Sequence, residues 1–132
     1  MQCQGVDLAR PIRDDLRVQD YRRLDVWRRG RELALAIYRL TEGFPRSETF
    51  GLVSQMRRSA VSVVSNIAEG ASRGSDREFA RFIRYALGSA AELECQLDLR
   101  HQLGYVSQTA VASASNIQDH VKAMLLNLDR RL

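Results

Sequence analysis

Cysteine is nearly absent from this chain: Cys3 and Cys95 are the only two in 132 residues, one near the start and one inside a helical pattern. No structural disulfide is expected from such a pair, and a reducing cytoplasm is the default compartment. Long apolar runs are missing as well. None approaches the ~20 residues that a membrane span needs, and no secretory leader pattern opens the chain, so no membrane role is expected. His101 and His120 are isolated and lack the His-Glu-x-x-His or Cys-x-x-Cys spacing of a metal site. There is no phosphate-cradling glycine loop and no nucleophile elbow. Glu92 and Glu94 lie about 200° apart around a helix and share no face. Cys95 has no neighbouring base, which leaves it as a small packing residue. These absences remove the usual catalytic constellations, so the expectation is a non-enzymatic protein with no cofactor and no metal. Strand patterns and internal repeats are missing too.

What is present is helical periodicity in a single-domain length. The 45% hydrophobic and 27% charged content is that of a folded, soluble chain with a real core. Residues 1–20 carry no sustained pattern and read as a flexible tail, with one short helical turn over 13–18. A first helix is predicted over about 24–41, with Val26, Trp27, Gly30, Leu33, Ile37 and Leu40 on one face. Gly43 is expected to supply a left-handed stop, and Pro45 prevents continuation. Ser47 is the expected N-cap of a second helix ending near Gly70. After the short link 71–74, Ser75 and Glu78 have capping-box spacing at the start of a third helix. That helix has the stripe Phe79, Phe82, Ile83, Ala86, Leu87, Ala90, Leu93 and Leu97, and it stops near Gly104. Ser107 opens a fourth helix with the stripe Ala110, Val111, Ala114, Ile117, Val121, Met124, Leu125 and Leu128. Four amphipathic helices on short loops specify an all-α, antiparallel up-down-up-down four-helix bundle over 21–132.

The second helix has an unusual outer face. Its core stripe is Leu52, Val53, Met56, Ala60, Val63, Val64 and Ile67. The opposite arc carries Gln55, Arg58, Ser59, Ser62, Ser65, Asn66 and Glu69, polar but mostly short. Long charged residues serve helix propensity and solubility better on a solvated face. Short polar ones let another backbone approach and bond across the contact. The third helix adds small residues, Gly88, Ala91 and Cys95, along one strip, and Glu78, Ser89, Glu92 and Gln96 along another. Gln55, Arg58, Ser62, Asn66, Glu69, Gly88 and Glu92 are therefore candidates for a contact between copies of the chain, with Arg58 and Glu69 pairing there.

Net charge is +4, and residues 1–60 carry twelve basic and eight acidic residues against eight of each in the remainder. All basic residues but Lys122 are Arg, the better residue for phosphate forks and aromatic stacking, although a GC-rich genome gives the same bias. Arg73, Arg77, Arg81 and Arg84 gather at the start of the third helix, where free N–H groups and the dipole favour phosphate. Arg57, at the edge of the core stripe, joins them as a candidate nucleic-acid contact. The alternative for the cluster is a solvated face, with Arg73 and Arg77 merely near Asp76 and Glu78.

Five blocks occur in order: Leu24-Asp25-Val26-Trp27, Gly43-Phe44-Pro45, Gln55-x-Arg57-Arg58, Ser65-Asn66-Ile67-Ala68-Glu69-Gly70 and Ala86-Leu87-Gly88-Ser89-x-x-Glu92-Leu93. Together they resemble the four-helix-bundle family of proteins encoded in intervening sequences of bacterial 23S ribosomal RNA genes. The accessory variability protein of diversity-generating retroelements shares that fold. The resemblance spans about 21–108, with a weaker match in the fourth helix. Val64 stands where the family usually has Pro, which implies a straighter second helix. The resemblance implies a cytoplasmic homo-oligomer, typically a pentamer, with a positively charged channel or surface. For the retroelement relative it implies binding to nucleic acid and a reverse transcriptase. Two functions stay open: an oligomeric nucleic-acid-binding accessory or scaffold acting with a partner protein, or a structural or protein-binding ring.

Overall fold

A computed structural model of the chain describes residues 19–132. The helical turn expected over 13–18, and all but the last two residues of the tail expected over 1–20, lie outside the described residues. Four helices follow: α1 (Asp25–Thr41), α2 (Leu52–Ala71), α3 (Asp76–Leu103) and α4 (Gln108–Arg131). Each packs on its sequence neighbour and α4 closes against α1, giving the expected up-down-up-down bundle. Leu33, Ile37, Met56, Val63, Ile67, Phe79, Ile83, Leu93, Val121 and Leu125 are fully buried between the helices. Tyr21–Arg23 form a 3-10 turn capped by the Asp20 carboxylate, and the Gln19 N–H donates to the Ala71 carbonyl at 2.9 Å. The last residues before the bundle are thereby tied to the end of α2.

The helix ends follow the sequence in some places and depart from it in others. Ser75 Oγ accepts the Glu78 N–H at 3.1 Å, and Ser107 Oγ accepts that of Ala110 at 3.2 Å. The capping box is only half made, because Glu78 turns both carboxylate oxygens to Arg81. Gly104 closes α3 in the left-handed region at φ 75°. Gly43 is not left-handed: positive φ among the described glycines is confined to Gly74 and Gly104. Instead α1 runs out through tight turns, and a Cβ on Gly43 would meet Val106 at 3.0 Å, so its smallness serves a close approach of the α3–α4 loop.

Ser47 does not cap α2. It lies in a second 3-10 turn, Arg46–Glu48, and α2 begins only after Gly51. Glu48 does the capping: its Oε1 accepts the Leu52 N–H at 3.1 Å, while its Oε2 accepts the Tyr105 hydroxyl at 2.7 Å. One carboxylate thus joins the α1–α2 turn, α2 and the α3–α4 loop. Those two hydrogen bonds, Tyr105 first, hold the Glu48 carboxyl below its ordinary value of 4.5. A depressed carboxylate stabilises the fold above its unfolded pKa, and that contribution is lost as pH falls through the lower folded value. Thermal melts are therefore expected to fall more steeply below about pH 4.5 in the wild type than in Tyr105→Phe. Parallel curves would separate the carboxylate from acid stability.

Candidate functional site

The basic cluster lies where α2 gives way to α3. Arg73 leaves the turn and pairs with Glu69 at 3.0 Å, and its guanidinium stacks 4.8 Å from the Phe82 ring. Arg81 reaches the same ring, also at 4.8 Å, and holds Glu78 at 3.0 Å and the Tyr85 hydroxyl at 3.0 Å. The Arg81 hydrogen bond is the largest cause of the lowered Glu78 pKa, and the same bond raises Arg81. Both groups are therefore charged at neutral pH. Arg84 crosses to α4, with Nε 3.1 Å from Asp129 Oδ1. Arg77 is exposed and makes no ion pair among the described residues. It borders a depression of about 350 Å³ with Ser75, Asp76, Ala80, Arg84 and Leu132.

The four arginines are thus brought together on one rim, and three of them already face a carboxylate. Such exposed pairs are weak and screened by water and salt, so a phosphate could displace them at little cost. Arg130 and Arg131, not singled out from the sequence, are also exposed at the end of α4, beyond Asp129. Arg57 is elsewhere and differently employed. Its Nε donates to Thr41 Oγ1 at 2.9 Å, one Nη donates to the Tyr38 carbonyl at 3.3 Å, and the guanidinium lies 4.5 Å from the Tyr38 ring. It clasps the C-terminal turn of α1, where a cation is favoured by the dipole.

The short polar arc of α2 divides in two. Ser59 is buried against the bundle, Ser62 Oγ bonds Ser89 Oγ of α3 at 2.7 Å, and the Asn66 amide donates back to the Ser62 carbonyl at 2.8 Å. Much of the shortness that suggested a second surface is therefore used within the chain, by α3. Gln55, Arg58, Glu69, Gly88 and Glu92 remain exposed. Glu69 pairs with Arg73, and Arg58 makes no ion pair among the described residues. Cys95 is exposed and free rather than buried in the packing. Among the described residues no group of three or more His, Cys, Asp and Glu could hold a metal ion, and no helix is long and apolar enough to cross a membrane.

The 23S rRNA-intervening sequence protein family matches residues 22–127, nearly the whole bundle. The chain belongs to that family. A solved structure from Bacteroides thetaiotaomicron VPI-5482, a protein of unknown function from the S23 ribosomal protein family, is similar over 79% of this chain and 97% of its own. Its TM-score is 0.70 at 24% identity, a likeness of fold. No curated protein matches. Unbroken α2, with Val64 half-buried at the place where the sequence resemblance expects Pro, is this chain's departure from that pattern.

Proposed function

We propose that this 23S rRNA-intervening sequence family protein is a non-enzymatic, homo-oligomeric accessory or scaffold that binds nucleic acid and acts with a partner protein. The observation that carries the reading is Arg77: an exposed arginine without an ion-pair partner among the described residues, one residue inside a helix N-terminus, flanked by three arginines held by exchangeable surface pairs. Phe82 and Tyr85 behind those guanidiniums hold Arg81 in place, and Tyr85 offers an exposed ring for stacking. Ring assembly, as a pentamer in the cytoplasm, would repeat this rim and turn weak contacts into useful affinity. A reverse transcriptase is the partner class that the retroelement resemblance offers.

A structural or protein-binding ring is the competing reading, and the carboxylates facing Arg73, Arg81 and Arg84 favour it. Fluorescence anisotropy of labelled RNA and DNA over a salt series separates the two, with subunit number read by light scattering after gel filtration. The expected result is an oligomer whose log affinity falls linearly with log salt. Absence of binding at low salt would leave the ring without a nucleic-acid role, and a monomer at micromolar concentration would remove the ring.

A further inference from the structure

A separate pocket lies at the other end of α3, against the first half of α4. Arg100 and Gln118, which line it, are 3% and 1% exposed. Arginine is scarcely ever this buried without a partner carboxylate, yet Arg100 makes no ion pair among the described residues. One Nη makes a long 3.4 Å bond to the Tyr105 carbonyl, and its Nε is sealed from solvent with no acceptor. Burial pushes the guanidinium below its ordinary pKa, while the charge of Asp98 opposes that shift. Gln118 donates its amide to the Ala90 carbonyl at 2.8 Å, but its Oε1 is equally sealed and accepts nothing. The pocket is thus backed by a cation that no carboxylate pairs among the described residues, whereas the Arg100 Nε and Gln118 Oε1 themselves lie too deep for a ligand atom in the pocket to reach.

The lining charge narrows what that something is. Glu94, Asp98 and Asp119 line the same pocket. Lys122 holds Glu94 at 3.2 Å, whereas Asp98 and Asp119 have no basic partner among the described residues. A simple anion drawn to Arg100 would meet those two carboxylates, and a simple cation drawn to them would meet Arg100. The volume, about 240 Å³, falls below the roughly 300–1,000 Å³ of sites for drug-sized ligands. We infer that this pocket binds a small zwitterion of the amino-acid class, its carboxylate on the Arg100 guanidinium and its ammonium toward the Asp98 and Asp119 carboxylates. The site is independent of the arginine rim and of any nucleic-acid role.

The test follows the Arg100 Nε–H and Gln118 amide resonances of the ¹⁵N-labelled full chain during titration with glycine, β-alanine, acetate and methylammonium. At least one of the two zwitterions is expected to shift both resonances saturably in the roughly millimolar range. Acetate and methylammonium should bind at least about fivefold more weakly. Asp119→Asn, an exposed change that leaves the core intact, should bring the zwitterion's affinity toward that of acetate. Arg100→Met should abolish the response of the Gln118 amide. The inference is overturned if neither zwitterion gives a saturable shift, which would leave the pocket to water. It is also overturned if acetate binds as well as the zwitterions, or if Asp119→Asn changes nothing.

Discussion

Gly70→Val is expected to destabilise the bundle by about 1–3 kcal/mol through overpacking, lowering the thermal midpoint by roughly 4–12 °C. Gly70 is buried in the last turn of α2, inside the Ser65–Gly70 block. A Cβ there would sit 2.8 Å from Phe82 Cβ, 2.9 Å from the Phe79 ring and 3.3 Å from the Phe79 carbonyl. Two of these atoms, a Cβ and a backbone oxygen, cannot swing aside, so α3 itself must move. The move would disturb the platform on which Arg73 and Arg81 stack. Gly70→Ala should lose less, because alanine recovers up to about 1 kcal/mol of helix propensity. Thermal melts followed by circular dichroism measure both variants. A valine variant as stable as the wild type would mean that α2 and α3 do not meet so closely.

The other large effect is expected from Arg77→Glu with Arg81→Glu. If the rim carries nucleic acid, reversing two charges removes up to two phosphate contacts per subunit and sets repulsion in their place. Each lost contact reduces the slope of log affinity against log salt by about 0.9 on duplex DNA and about 0.7 on single strands. Binding should weaken across sequences alike, since phosphate contacts carry no base information. Any oligomer should persist, because both arginines are exposed, Arg81 lying against the buried Phe82 ring. Arg81→Glu also leaves Glu78 without its partner, so a helicity check by circular dichroism accompanies the anisotropy series. Unchanged binding in an intact double variant would move the site elsewhere. The arginines ahead of and along α1 would then be next, although Arg22, Arg28 and Arg29 each pair with a nearby carboxylate.

Periodicity, cap residues and loop lengths are local properties of the chain, and they determined four helices, their antiparallel order and the ends made by Ser75, Gly104 and Ser107. The position of the arginine cluster on one face of α3 follows from the 3.6-residue repeat alone. Spacing could also have flagged Arg100 and Gln118. Arg100 follows Leu97 by three residues and Gln118 follows Ala114 by four, so both extend the core stripes of their helices. Neither stands out in the sequence, because a stripe is defined by its apolar members. What each polar side chain bonds to was decided only by the packed bundle. Ser62 and Asn66 have the shape of a surface made for a neighbour, and it took the closeness of α3 to assign much of that face to the chain itself. Gly43 looked like a helix stop and Gly70 merely marked the end of a helix, but their smallness answers side chains that come within contact only after folding, Val106 in one case and Phe79 with Phe82 in the other. Arg57 went to α1, and Glu48 displaced Ser47 as the cap of α2, because a long side chain bonds wherever the fold brings an unsatisfied backbone group within its reach.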